Sequence, residues 1–176
     1  KLELTIKEKM PNLSMQEMNM NGMTVQKTVF DGTNGGSSGM QGAETFEGDD
    51  LKEKALSSTM HLETKYKELG YILTLKGIEE VNGKDAYVVE VKDPFGNVES
   101  DYFDAASKLK VYSMQTQETP QGEMTITSEL HEYKEVNGML YPHKLIQNFG
   151  PQAMEMEVKS IKVNGKLKAA EFEYKK

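Results

Sequence analysis

The chain is predicted to be mostly β, with its strands in a large antiparallel sheet or barrel and one or two short helices. Short runs alternate apolar with polar residues, which is the period of a strand with one buried face. Turn signals separate these runs at intervals of about ten to fifteen residues. A parallel sheet would need a crossover helix between successive strands, and only the stretch from Gly48 to Lys67 has helical character.

The stretch Gly70–Asp104 contains three such runs and predicts a three-stranded meander. Asn82-Gly83 separates the first two runs, and this pair tolerates the positive φ angles of a tight hairpin. The segment Asp93–Asn97 separates the second run from the third, with Pro presetting φ and Gly accepting a positive φ. One apolar face is predicted from the alternating residues Tyr71, Leu73, Leu75, Tyr87, Val89 and Val91.

The N-terminal part predicts further strands and one loop. Leu2–Ile6 alternates, and Met15–Met20 and Met23–Phe30 flank an Asn-Gly pair that is typical of a hairpin. Met15 is out of phase with its neighbours, which indicates a bulge at that position. Asp31–Gly42 is rich in Gly, Ser and Asn and is predicted to be a mobile loop.

The helical stretch is expected to form one short helix or two fragments near Asp49–Lys67, with Asp49 or Asp50 as its N-cap. Beyond the meander the same alternation continues between turn signals. It predicts strands at Leu109–Thr116, Gly122–Tyr133, Tyr141–Phe149, Ala153–Val163 and Ala169–Tyr174.

Length and composition indicate one domain spanning residues 1–176 and exclude several partners. The 176 residues are enough to bury a core without disulfides, and the chain has no Cys to form them. All 21 basic residues are Lys, and the formal net charge is −7. Nucleic acid and anionic membrane surfaces are therefore not expected as partners, because both require a basic face.

The chain begins with Lys, and its first residues already resemble a strand. We therefore expect it to be part of a longer protein, in which a signal for export would lie outside this sequence. No apolar run approaches the ~20 residues that a membrane-spanning helix requires, so no transmembrane segment is predicted.

Catalytic and metal-binding patterns are absent from the sequence. The three histidines have no zinc-site spacing, and there is no nucleophile elbow or phosphate-binding loop. Glu155 and Glu157 alternate with methionines and are expected on the wet face of a strand. A hydrolase would need two of the chain's carboxylates to converge in a cleft. We expect neither enzymatic activity nor a cofactor or metal.

Twelve methionines are many for this length. Methionine is flexible and polarizable, so it can fill gaps in a core or mould to apolar ligands. Since a single short helix cannot cover a long sheet, the apolar face is expected either to fill a core or to leave a pocket for a lipid-like ligand.

Several short motifs, in order, resemble a bacterial envelope family, the outer-membrane lipoprotein-sorting (LolA-like) superfamily in its Bacteroidetes-type variant. The resemblance spans about Phe30 to Phe172. It rests on Phe30–Gly32, Gly77–Tyr87, Asp93–Asn97, Tyr102–Asp104, Tyr133–Gly138, Tyr141–Lys144, Val163-Asn164 and Phe172.

The resemblance implies an unclosed antiparallel half-barrel with helices capping its hollow side. It also implies export to the periplasm or cell envelope, and carriers of this family hold lipoprotein acyl chains in the hollow. Similar domains occur fused to insulinase-type zinc peptidases, which makes a larger parent chain an expectation.

The predicted function is non-enzymatic binding of a lipid or acylated protein on the apolar face. The alternative is a structural or interaction domain of a larger envelope protein, such as an insulinase-type peptidase, with no ligand of its own. The predicted lining residues are Tyr71, Leu73, Leu75, Tyr87, Val89, Val91, Met124, Ile126, Leu145, Phe149, Met154, Met156 and Val158.

Overall fold

The computed structural model describes residues 1–40, 42–119 and 122–174. It divides into two compact units, and the first is discontinuous in sequence. Unit 1 contains Lys1–Leu69 and the C-terminal segment from Lys166, whereas unit 2 is the continuous stretch Gly70–Gly165. The two units are described separately below.

Unit 1 is built on a five-stranded antiparallel sheet in sequential order. Its strands are β1 (Leu2–Lys9), β2 (Leu13–Met20), β3 (Met23–Phe30), β4 (Gly35–Gly39) and β5 (Gly42–Thr45). Helix α1 spans Gly48–Ser57, and two 3-10 helices span Leu62–Lys65 and Ala169–Phe172.

The predicted hairpin between β2 and β3 is confirmed. Asn21 and Gly22 form its turn with φ angles of +51° and +82°, as a tight hairpin with both central residues left-handed requires. The predicted bulge is misplaced: the register shifts at Met18–Asn19, whereas Met15 keeps regular pairing. Met15 is out of phase because its side chain lies on the opposite face, where it is buried.

The prediction of a mobile loop over Asp31–Gly42 is wrong, because Gly35–Gly39 forms strand β4 and Gly42 begins β5; Gln41 lies outside the described residues. Gly35–Gly39 pairs with β3 on one side and β5 on the other. A Cβ at Gly36 would lie 2.3 Å from both the Glu44 carbonyl oxygen and the Tyr174 ring. Glycine therefore allows the close approach of neighbouring atoms that other residues would block.

The core of unit 1 joins the sheet to the C-terminal segment. Met15 and Val29 pack with Phe172, which is fully buried. The Lys7 ammonium donates to Glu171 at 2.5 Å beside this contact. The prediction of a strand over Ala169–Tyr174 is therefore wrong: a 3-10 turn places Phe172 in the core, whereas the alternation of the sequence indicated a pleated face.

The predicted helical region is confirmed as two short fragments. Its N-cap is Glu47, with no hydrogen bond from the cap side chain, so the prediction of Asp49 or Asp50 as the cap is wrong. Both aspartates lie in the first turn, where their negative charge complements the helix dipole. At the other end, the buried hydroxyls of Ser58 and Ser14 share a hydrogen bond of 2.8 Å.

Unit 2 is built on a seven-stranded antiparallel sheet in the order β14-β13-β10-β9-β8-β7-β6, with a separate β11–β12 hairpin. Its strands are β6 (Ile72–Val81), β7 (Lys84–Lys92), β8 (Val98–Asp104), β9 (Lys110–Thr119), β10 (Gly122–His131), β11 (Lys134–Val136), β12 (Met139–Tyr141), β13 (Lys144–Phe149) and β14 (Gln152–Glu157).

The predicted meander is confirmed as β6, β7 and β8. Asn82 and Gly83 have φ angles of +51° and +77°, the conformation that the sequence predicts for this turn. At the second turn the Asp93 carboxylate accepts hydrogen bonds from the backbone N–H groups of Phe95 and Asn97. Both turns therefore fix the register of the three strands.

The largest differences between the later strands and their predicted bounds are at two places. The run predicted over Tyr141–Phe149 is interrupted, since β12 ends at Tyr141 and β13 begins at Lys144. Pro142 between them has no N–H to donate to a sheet ladder. The strand predicted over Ala153–Val163 ends earlier, at Glu157.

Both sheets are antiparallel and curved, and neither closes into a barrel, because each has two different edge strands. The predicted fold class, a mostly β chain with an unclosed curved sheet and short helices, is confirmed. No helix in the described residues is both long enough and apolar enough to span a bilayer.

Candidate functional site

The register of unit 2 places the predicted lining residues on one face of the seven-stranded sheet. Direct partners in antiparallel strands share a face, because side chains alternate across the pleat. One row of partners crosses the whole sheet. Its members are Leu75, Val89, Asp101, Ser113, Ser128, Gln147 and Met154. We call the face that carries this row the lining face.

The lining residues form two groups on this face. Those on β6 and β7 include the partners Leu73 and Val91, and those on β10, β13 and β14 include the partners Leu145 and Met156. Strands β8 and β9 lie between the groups and contribute none of the predicted residues. The two groups are therefore separated by about 14 Å, which is three strand spacings.

Two of the predicted residues lie just outside the paired strands. Tyr71 immediately precedes β6, and Val158 immediately follows β14. The Val158 N–H donates to the His143 carbonyl oxygen at 2.9 Å, which ties the end of β14 to the start of β13. Both residues extend their groups at the ends of the strands.

Exposure differs across the lining face. Leu73 and Leu75 on the edge strand are 52% and 66% exposed, whereas Val91 on the next strand is 7% exposed. The remaining predicted residues are half-buried. Large exposed aliphatic side chains on a sheet edge mark a surface that can bind apolar partners.

The closely packed hydrophobic cluster of unit 2 lies on the opposite face. Ala86, Val88 and Tyr102 are buried there, with Tyr112 against them. The rings of Tyr102 and Tyr112 meet edge to face, with centroids 5.1 Å apart. A packed hydrophobic cluster therefore lies on the face that does not carry the predicted lining, whereas Val91 is buried on the lining face itself.

The acidic residues expected on the wet side of β14 are where the sequence placed them. Glu155 and Glu157 are exposed, and Met154 and Met156 between them are half-buried. The Lys144 ammonium pairs with Glu155 at 3.0 Å. Because Met154 and Met156 point to the lining face, their flexible thioethers are available to an apolar ligand there.

Sequence reasoning missed a charged cluster at the centre of the lining face. The Lys110 ammonium lies 2.5 Å from Asp101 Oδ1 and 3.1 Å from Glu99 Oε1. Asp101 is only 3% exposed, and Ser113 across from it is also buried. We call Glu99, Asp101 and Lys110 the central triad.

A register shift in β9 brings Lys110 onto this face. Tyr102 pairs with Tyr112, but Phe103 pairs with Lys110, which leaves Val111 as an extra residue. The bulge turns the Lys110 side chain toward the carboxylates instead of away from them. The positions of Glu99 and Asp101 could have been found by continuing the alternation of β7 through the Asp93–Asn97 turn.

The triad perturbs the ionisation of all three groups. Burial raises the pKa of Asp101 to about 6, against the opposing attraction of Lys110. Burial also opposes ionisation of Glu99, but the charge of Lys110 and a hydrogen bond with Ser113 outweigh it and lower the pKa of Glu99. Burial disfavours the Lys110 ammonium as well, yet the two carboxylates prevail and raise the pKa of Lys110.

Other features do not form a comparable site. An open depression of about 800 Å³ borders the ends of β10 and β13, and Met124 is the one predicted residue that lines it. Among residues 1–40, 42–119 and 122–174, no group of three or more His, Asp and Glu side chains is arranged to hold a metal ion.

The chain is similar to known proteins in its three-dimensional structure. No protein-family model and no curated protein matches the sequence. A LolA superfamily protein from Nitrosomonas europaea matches with a TM-score of 0.56 at 10% identity, over 92% of this chain and 79% of that one.

Two further solved structures show the same likeness. A DUF1329 family protein from Desulfovibrio piger matches with a TM-score of 0.63 at 12% identity, over 98% of this chain and 80% of that one. An outer membrane lipoprotein-sorting protein domain from Vibrio parahaemolyticus matches with a TM-score of 0.55 at 13% identity, over 97% and 86%. At these identities the comparisons establish the fold.

Proposed function

We propose that this chain, which has the LolA-like fold, binds an apolar or acylated ligand on its lining face without catalysing a reaction. The observation that carries this proposal is the separation of the two faces of the seven-stranded sheet. The buried cluster of Ala86, Val88 and Tyr102 lies on one face, while the predicted lining residues other than the buried Val91 are half-buried or exposed on the other.

Binding would be driven by removing apolar surface from water. Each CH₂ group transferred from water contributes about 0.8 kcal/mol, so a single long acyl chain gains several kcal/mol from contact with the lining face. The two apolar groups provide separate binding surfaces for acyl chains on either side of β8 and β9. Half-buried methionines on β14 adapt to chains of different shape.

The proposed ligands are lipids or the acyl chains of lipoproteins, and the proposed location is the bacterial envelope. The structural neighbours named for lipoprotein sorting and for the LolA superfamily support this class of ligand. No catalytic role is assigned, since the charged groups on the lining face form an ion-paired cluster among themselves.

The first experiment is native mass spectrometry of the purified protein, followed by titration with a fluorescent fatty acid. We expect co-purified lipid or saturable uptake. Leu73→Asp should weaken uptake by about tenfold or more, because a carboxylate would be desolvated by the bound chain.

A matched control lies next to it on the same strand. Ile72 is 61% exposed and points to the opposite face, so Ile72→Asp introduces the same charge away from the lining face. Uptake by this variant should equal that of the unchanged chain. A native mass without bound lipid together with no fatty-acid uptake, or an equal loss of uptake in both variants, would contradict the proposal. Either result would favour a domain that binds a protein partner.

A further inference from the structure

The central triad occupies the middle of a face that is otherwise flanked by apolar side chains. Strands β8 and β9 carry Glu99, Asp101 and Lys110, with two strands on one side of them and three on the other. Val89 lies directly across from Asp101 on the β7 side. An apolar chain lying on either flank would therefore bring its end close to the triad.

The charges of the triad do not balance. Two carboxylates share one ammonium, which leaves one negative charge in excess when all three groups are ionised. Buried ion clusters are costly because their groups lose water, and a surplus charge makes that cost larger. A cationic group placed beside the triad would neutralise the excess.

Hydrogen bonding at Asp101 is also incomplete. Its Oδ1 atom is buried and contacts the Lys110 ammonium, but within the described residues it accepts no bond of hydrogen-bond geometry. Buried carboxylate oxygens without donors are uncommon in folded proteins. The negative charge of this buried oxygen is therefore incompletely compensated, and a cation close to the triad would offset it.

The triad is accessible from the lining face. The side chains of Glu99 and Lys110 are 38% and 29% exposed, whereas that of Asp101 is 4% exposed. A ligand would meet Glu99 and Lys110 first, and Asp101 lies beneath them as the source of surplus charge.

We propose that the central triad is a headgroup site that selects amphiphiles with a protonated primary amine over those with a carboxylate. The inference rests on the proposed function, since the alkyl chain of such an amphiphile would lie on the lining face. The ammonium would donate a hydrogen bond to the exposed Glu99 carboxylate and be attracted by the charge of Asp101 beneath it, whereas a carboxylate would be repelled by the same two groups.

The test compares three probes of equal chain length: dodecylamine, dodecanol and dodecanoate. Each is titrated against the whole chain at neutral pH below its micelle-forming concentration, with calorimetry as the readout. We expect dodecylamine to bind about tenfold more tightly than dodecanol, as a charge-assisted hydrogen bond would provide, and dodecanoate to bind least tightly.

Two variants make the test specific. Glu99→Gln removes one carboxylate of the triad and should bring dodecylamine and dodecanol to similar affinities. Glu90→Gln is the matched control: Glu90 is 37% exposed, pairs with Lys76 at 3.3 Å, and lies on the opposite face. It should leave the preference for the amine unchanged, and circular dichroism confirms that both variants are folded.

The outcomes separate this inference from the function on which it rests. If dodecanol binds but the three probes have equal affinities, the inferred headgroup site is contradicted, while the proposed binding of alkyl chains on the lining face is supported. If Glu90→Gln reduces the preference as much as Glu99→Gln, general attraction to an acidic chain explains it and the site is wrong. If no probe binds, both proposals fail.

Discussion

At the scale of single residues, the position of Asp101 is set by two opposing forces. Its carboxyl is buried on the lining face, which favours the protonated form, while the nearby Lys110 ammonium favours the ionised form. Burial prevails, and the pKa of Asp101 rises from an ordinary 3.8 to about 6. The residue therefore changes charge in mildly acidic solution.

This shift predicts how stability depends on pH. A carboxyl whose pKa is raised by folding stabilises the fold below its unfolded pKa, and this contribution is lost as pH rises through about 6. The free energy of unfolding of the unchanged chain, minus that of Asp101→Asn, should thus fall between pH 4 and pH 7. We expect a fall on the order of 2 kcal/mol, measured by urea denaturation at several pH values.

Glu90→Gln supplies the comparison for this measurement, because Glu90 pairs with Lys76 outside the triad. A decline of equal size in this variant would show that the pH dependence does not come from Asp101. A constant difference for Asp101→Asn would contradict the assigned pKa.

Residue patterns predicted which residues lie on the lining face, but they did not predict how closely each face of the sheet is packed. Alternation placed Tyr87, Val89 and Val91 together, and the register confirms that they share a face. Alternation could not show which face of β7 carries the packed cluster, because Ala86 and Val88 on the other side are also apolar. Packing of Val88 against Tyr102 on the neighbouring strand decides this, and it depends on tertiary structure.

At the scale of elements, local turn chemistry was the most informative signal in the sequence. The Asn-Gly pairs at Asn21, Asn82 and Asn137 all have the first residue at a φ of +51°, and each joins two paired strands. Elements that depend on distant contacts were not predicted. The glycine-rich strand β4 and the C-terminal 3-10 helix are stabilised by segments far away in sequence, as Gly36 beneath Tyr174 shows.

The C-terminal 3-10 helix offers a direct test of such a contact. Phe172 is fully buried against Met15 and Val29, so Phe172→Ala should lower the free energy of unfolding of unit 1 by about 3 to 5 kcal/mol. Hydrogen exchange resolved by mass spectrometry measures this loss separately for the strands of each unit.

The matched variant is Phe95→Ala, since Phe95 is 38% exposed in the turn between β7 and β8. Any loss of protection should be smaller than that of Phe172→Ala and confined to unit 2, because Phe95 is partly exposed and belongs to that unit. Unchanged exchange in β2 and β3 of Phe172→Ala would show that the C-terminal segment does not support the unit 1 core.

At the scale of the whole molecule, charge limits the surfaces that the chain can approach. The chain has no Arg and a formal net charge of −7, so anionic lipid headgroups should repel it. Binding of acyl chains on the lining face is a different process, because it removes apolar surface from water and does not require a basic patch.

Vesicle sedimentation tests this distinction. The fraction of protein that sediments with vesicles containing phosphatidylserine should be no greater than with vesicles of phosphatidylcholine alone. Lowering the salt concentration should not increase it, since weaker screening strengthens repulsion between like charges. A marked gain on anionic vesicles at low salt would contradict the prediction.

The sequence order of the two units has a consequence for synthesis. All residues of unit 2 lie between Gly70 and Gly165, whereas the core of unit 1 requires Phe172. A chain emerging from the ribosome therefore presents the complete sequence of unit 2 before unit 1 can close its core. Until then Met15 and Val29 of the N-terminal sheet remain uncovered, so unit 1 is the part that most needs protection by a chaperone during synthesis.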